Sequence, residues 1–98
     1  MGFLGSFNAI GKIYGHLRNI EPMFNEIMVG QRAMTDRPYC NTLAQNIMTE
    51  LNVVRRMIES SGNTVKCADF QFMGSTKSIY QIIADTEMLI NIAKNRPI

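Results

Sequence analysis

One histidine, two cysteines and eight carboxylates are the side chains of this 98-residue sequence that could act as base, nucleophile or metal ligand. His16 lies in a stretch with helical spacing, and its neighbours one turn away are Lys12, Ile13, Asn19 and Ile20. None of them is a carboxylate that would orient the imidazole, so His16 is expected at a boundary or surface rather than as a general base. Cys40 and Cys67 sit in no reactive-thiol motif and are expected as small packing residues with reduced thiols. Structural zinc takes four Cys or His ligands, whereas this chain has three with no close pair among them, so neither a metal nor another cofactor is expected. Glu21 and Glu50 stand at the edges of apolar stripes, where a helical bundle can hold paired carboxylates. Di-metal bundles build such sites with Glu-x-x-His pairs, and without one these two glutamates are expected to be solvated or ion-paired.

Two motifs near the start match in outline only. Gly5 to Lys12 has the glycines and lysine of a phosphate-binding loop, but the spacing is one residue too long and Ile13 stands where Ser or Thr would hold magnesium. Gly2 and Ser6 fit the loose myristoylation pattern, yet Phe3 beside the acceptor is bulky and is needed to open an apolar stripe. No nucleophile and base are paired by motif, so the expected catalytic set is empty and the chain reads as a non-enzyme.

These side chains have to be placed by helices. A hydrophobic content of 46% with 18% charge suits one folded domain spanning residues 1–98. No apolar run reaches the roughly 18 residues of a membrane span, and the start lacks the basic and apolar regions of a signal peptide. A cytoplasmic protein without membrane contact is the expectation.

With Phe3 at heptad position a, Ile10, Leu17 and Phe24 also fall at a, Ile13, Ile20 and Ile27 at d, and Phe7, Tyr14 and Met28 at e. A first helix over about residues 4–33 follows, bent at Pro22, whose lost hydrogen bond falls on the solvent side. Asp36 and Pro38 signal a second helix, with Thr42 and Gln45 as a later capping box and Gly62 as a left-handed stop. Its core face is Cys40, Leu43, Ala44, Ile47, Leu51, Val54, Met57 and Ile58. Residues 63–76 fit a helical turn through Val65, Ala68 and Phe72, and partly an extended run through Val65, Cys67, Phe70 and Phe72. In either form Phe70 and Phe72 pin the connection across the bundle end. Ser78 and Gln81 then cap a third helix, which ends before Pro97 and buries Ile79, Ile82, Ile83, Leu89, Ile90 and Ala93. The expected fold is all-α: an up-down-up three-helix bundle with a long kinked first helix and an irregular connection before the last.

Folding the helices back places residues 1–20 and 52–83 at one end. Lys12, Arg18, Arg55, Arg56, Lys66 and Lys77 there oppose only Glu59 and Asp69, a net +4, and form a candidate anion or nucleic-acid surface. Eight methionines add adaptable apolar contacts: Met28, Met48 and Met57 read as core, and Met23, Met34, Met73 and Met88 as boundary or partner-facing. Gly11 and Gly15, one turn apart on the outer face of the first helix, weaken it and leave a flat strip flanked by Leu4 and Asn8, on which a second copy could pack. The functional expectation is therefore a small non-enzymatic adaptor or regulator that binds a protein or itself as a homodimer, with polyanion binding at the basic end as the alternative.

Overall fold

The structure is a computed structural model. It describes the backbone of residues 3–98 and the side chains from Asn8 onward, so Leu4, Phe3 and Phe7 lie outside the described side chains, and Gly2 outside the described residues. Helix α1 spans Phe3–Val29, α2 Gln31–Thr35, α3 Arg37–Ser60 and α4 Asn63–Cys67. Strands β1, Asp69–Phe72, and β2, Ser75–Ser78, form an antiparallel hairpin, and α5 runs over Ile79–Asn95. The molecule is thus mostly helical with one small two-stranded sheet.

Helix α1 is continuous through Pro22, which faces solvent as its heptad position requires. Ile13, Leu17, Ile20 and Ile27 are fully buried and Phe24 nearly so, while Ile10 and Tyr14 pack at the margin of the core. The helix stops at Val29 rather than near residue 33. Gly30 adopts an extended conformation and its amide donates back to the Glu26 carbonyl at 2.8 Å. Glu26 folds so closely over this glycine that an added Cβ would collide with its carboxylate and carbonyl. Just before that break Met28 is 40% exposed, not core, because it sits beside the stripe that buries Ile27 rather than on it.

Helix α3 starts where its cap signal lies: the Asp36 carboxylate accepts from the Tyr39 amide at 3.1 Å, and Pro38 occupies the first turn, where a missing N–H costs nothing. Thr42 is no cap, since its hydroxyl donates to the Pro38 carbonyl inside the helix. Six residues of the expected face, Cys40, Ala44, Ile47, Leu51, Val54 and Ile58, are buried, and Leu43 and Met57 flank them. Gly62 is not a left-handed stop; at φ −78° it is extended and opens α4 instead.

The ambiguous segment contains both of its alternatives in succession. Val65 is buried from the helical turn α4, and the strand that follows alternates, with Phe70 and Phe72 inward and Asp69 and Gln71 outward. Tyr14 meets Phe70 at 5.0 Å between ring centroids, and Phe24 meets Phe72 edge-on at 5.4 Å. The hairpin therefore lies along the middle of α1. Its two-residue turn has positive φ at Met73, 51°, and Gly74, 81°, the pattern of a type I′ turn whose twist matches that of paired strands. Ser78 ends β2 and caps α5 by accepting from the Gln81 amide, although the Gln81 side chain turns to Asp85 instead of completing a capping box. Ile79, Ile82, Leu89, Ile90 and Ala93 are buried on α5, joined by Thr86, whose hydroxyl is satisfied by the Ile82 carbonyl.

Candidate functional site

The stripe that buries Leu17 and Ile20 sets His16 and Asn19 at the seam between α1 and α3. Both meet Glu50 there. Its Oε1 lies 3.1 Å from His16 Nδ1 and accepts from Asn19 Nδ2 at 2.8 Å. The Asn19 amide holds the Glu50 carboxyl below its ordinary value of 4.5, helped by His16 and opposed by partial desolvation. His16 therefore does have an orienting carboxylate, supplied from 34 residues away and invisible to an inspection of its own helix. Glu50 oriented on Nδ1 leaves Nε2 as the remaining ring nitrogen, the arrangement of a His–carboxylate dyad. Among the described residues no group of three or more His, Cys, Asp or Glu side chains is placed to hold a metal ion.

Glu21 is a structural partner. One oxygen pairs with Arg18 Nε at 2.7 Å and the other accepts from the Met73 amide at 2.8 Å, fastening the hairpin turn to α1. Cys40 is buried in the core, and Cys67 is exposed at the end of α4.

The six cations expected to form a basic surface divide into two sets. Arg18 pairs with Glu21 and donates to the Gln71 carbonyl, Arg55 pairs with Glu87, and Lys77 Nζ reaches Asp85 at 2.7 Å. Lys77, followed by Gln81, holds the Asp85 carboxyl below its usual range. Lys12, Arg56 and Lys66 make no ion pair among the described residues. The Arg55–Glu87 pair joins α3 to α5 across 32 residues, whereas Arg18 and Lys77 find their carboxylates three and eight residues along the chain.

Asn8, Gly11 and Gly15 are in place on the exposed outer face of α1, and a Cβ added at either glycine would meet nothing within 4 Å. Apolar exposure is concentrated elsewhere. Among the described residues seven large hydrophobic ones are exposed: Met28, Val29, Met34, Tyr80, Met88, Ile92 and Ile98. Gly30 links α1 to α2 and Asp36 links α2 to α3, while Arg37 at the start of α3 donates to the Ala93 carbonyl at 2.8 Å and to the Arg96 carbonyl. The end of α1, all of α2, the start of α3 and the end of α5 consequently share one end of the molecule, which carries five of the seven. Met34 and Met88 were partner-facing candidates and are exposed; Met23 and Met73 pack on the core.

Among the described residues no helix is long and apolar enough to cross a membrane. No protein-family model, curated protein sequence or solved structure matches the chain.

Proposed function

We propose that this protein is a small, non-enzymatic interaction module of the cytoplasm, an adaptor or regulator that works as a homodimer. The observation that carries this reading is the gathering of Met28, Val29, Met34, Ile92 and Ile98 at one end, with Val29 65% and Ile92 52% exposed. Apolar side chains gathered in this way mark a contact surface more often than isolated ones do. The occupant that suits this end is a second copy of the chain. Arg32, Arg37, Lys94 and Arg96 share it with Glu26 and Asp36, and a two-fold contact pairs a patch with itself, so it needs both signs within the patch. The scaffold behind it is an up-down-up bundle of α1, α3 and α5 with a bend in α1 at Pro22, a topology supported by the His16–Glu50 and Arg37–Ala93 contacts.

Sedimentation equilibrium tests the proposal against the glycine strip as a rival surface. The wild-type chain should dimerise with a dissociation constant in the range of about 1 to 100 μM. Val29→Glu combined with Ile92→Glu should be folded and monomeric, whereas Gly11→Ala with Gly15→Ala should leave the dimer intact. A wild-type protein that stays monomeric at about 100 μM would refute self-association. A dimer lost only in the glycine variant would move it to the strip at Asn8, Gly11 and Gly15.

A further inference from the structure

We infer that the groove between α3 and α5 is a binding site for a small organic anion, one phosphate or carboxylate group on an apolar body. The groove is open to solvent, has a volume of about 480 Å³ and is lined by Arg37, Asn41, Ala44, Gln45, Met48 and Lys94. That volume lies within the range of small-molecule sites. Five of the lining residues follow one face of α3, and the eleven helical rises from Arg37 to Met48 give it a length of about 16 Å.

Its chemistry is one-sided. Arg37 and Lys94 are cationic, Asn41 and Gln45 offer amides, and no carboxylate lines it. Arg37 is held in place by neutral partners, the Ala93 and Arg96 carbonyls, so its position is fixed without cancelling its charge. Its Nη1 also faces Asn41 Oδ1 at 3.5 Å, an orientation that turns the Asn41 Nδ2 donor away from Arg37. Lys94 has no ion-pair partner among the described residues. Toward the other end Ala44 leaves room and Met48 supplies an adaptable apolar wall. A ligand with an anionic head at Arg37 and Lys94 and an apolar body along Ala44 and Met48 satisfies both ends.

A second groove, of about 350 Å³, provides the contrast. Arg55, Ile58, Glu59, Lys66, Tyr80 and Ile83 line it. Its two cations are balanced by Glu59 in its wall and by Glu87 on Arg55. It is charge-neutral, and an anion gains nothing there.

Arg37 and Lys94 also belong to the end proposed for self-association, so binding is followed through backbone amide resonances at two protein concentrations, which separates it from dimerisation, while titrating phenyl phosphate, phenylacetate, inorganic phosphate and benzyl alcohol. Phenyl phosphate or phenylacetate should shift Asn41, Gln45 and Lys94 saturably, with a dissociation constant of about 1 mM or tighter. Whichever of the two binds identifies the head group. Inorganic phosphate and benzyl alcohol, each lacking one half of the ligand, should bind at least about fivefold more weakly. Lys94→Glu should weaken binding about tenfold or more, and Lys66→Glu, the same charge change in the neutral groove, should leave it unchanged. Equal losses in the two variants, or no saturable shift up to about 10 mM, would overturn the assignment.

Discussion

The flank of α1 under the hairpin and the end of the molecule beyond it are built from the same kinds of residue and treated in opposite ways. From Tyr14 to Phe24 the apolar stripe is covered by Phe70 and Phe72, and the polar residues beside it are engaged: Arg18 by Glu21 and Gln71, Glu21 by Met73. One turn further on Ile27 stays buried while Met28 and Val29 beside it are exposed, and Arg37 spends its hydrogen bonds on carbonyls rather than on a carboxylate. The hairpin is only eight strand residues long, and its reach decides which part of the apolar surface serves the fold and which is left for contact. Periodicity alone does not separate the two.

The largest effects should come from dismantling the covered flank. Phe72→Ala removes a fully buried ring and should cost about 3 to 5 kcal/mol in urea unfolding, with Leu17→Ala at about 2 to 5 kcal/mol. Met28→Ala, one turn beyond the cover, should change stability by less than about 0.5 kcal/mol. Equal losses at Phe72 and Met28 would erase the distinction between the two regions.

A smaller effect of opposite sign is expected on the outer face of α1. Because a Cβ at Gly11 or Gly15 meets nothing within 4 Å, Gly11→Ala with Gly15→Ala should raise the unfolding free energy by up to about 1 kcal/mol per site through helix propensity. A thermal midpoint that falls instead would mean that this face is occupied.

The smallest concerns the seam. The folded state holds Glu50 below its ordinary value of 4.5, so its contribution is complete above that pH and is lost as the pH drops through the folded value. Glu50→Gln should flatten the acid side of a stability–pH profile, and Asn19→Ala should do so in part. Profiles that superimpose on the wild type below pH 4.5 would remove the seam from the account.

Much of the helical frame was legible because each long helix carries a periodic face and, for α3 and α5, a cap: Asp36 and Ser78 both do what their positions imply. What was not legible depends on contacts between distant residues. Residues 63–76 resisted assignment because their pattern changes period within six residues, from the helical turn ending at Cys67 to the alternation of Phe70 and Phe72. The end of α1 at Val29, short of residue 33, depends on Gly30, over which Glu26 folds so closely that an added Cβ would collide with its carbonyl. Of the candidate sites, the glycine strip could be located from helix phase alone. The pairing of Glu50 with His16 and of Glu87 with Arg55 required the packing of α1 on α3 and of α3 on α5.

Ser78 belongs to two elements at once, the last residue of β2 and the cap of α5, with no linker between them. The turn at Met73 and Gly74 therefore acts on the helix as a gear. One residue inserted between Phe72 and Ser75, with the two-residue turn kept so that the pairing slips by one, would shift every later residue by one place and rotate the side chains of α5 by about 100° around its axis. Ile82 and Leu89 would swing from the core toward water. Insertions in that turn should therefore be poorly tolerated, and tolerated ones should collect instead around Ser61 and Gly62, between α3 and α4, where Gly62 is exposed.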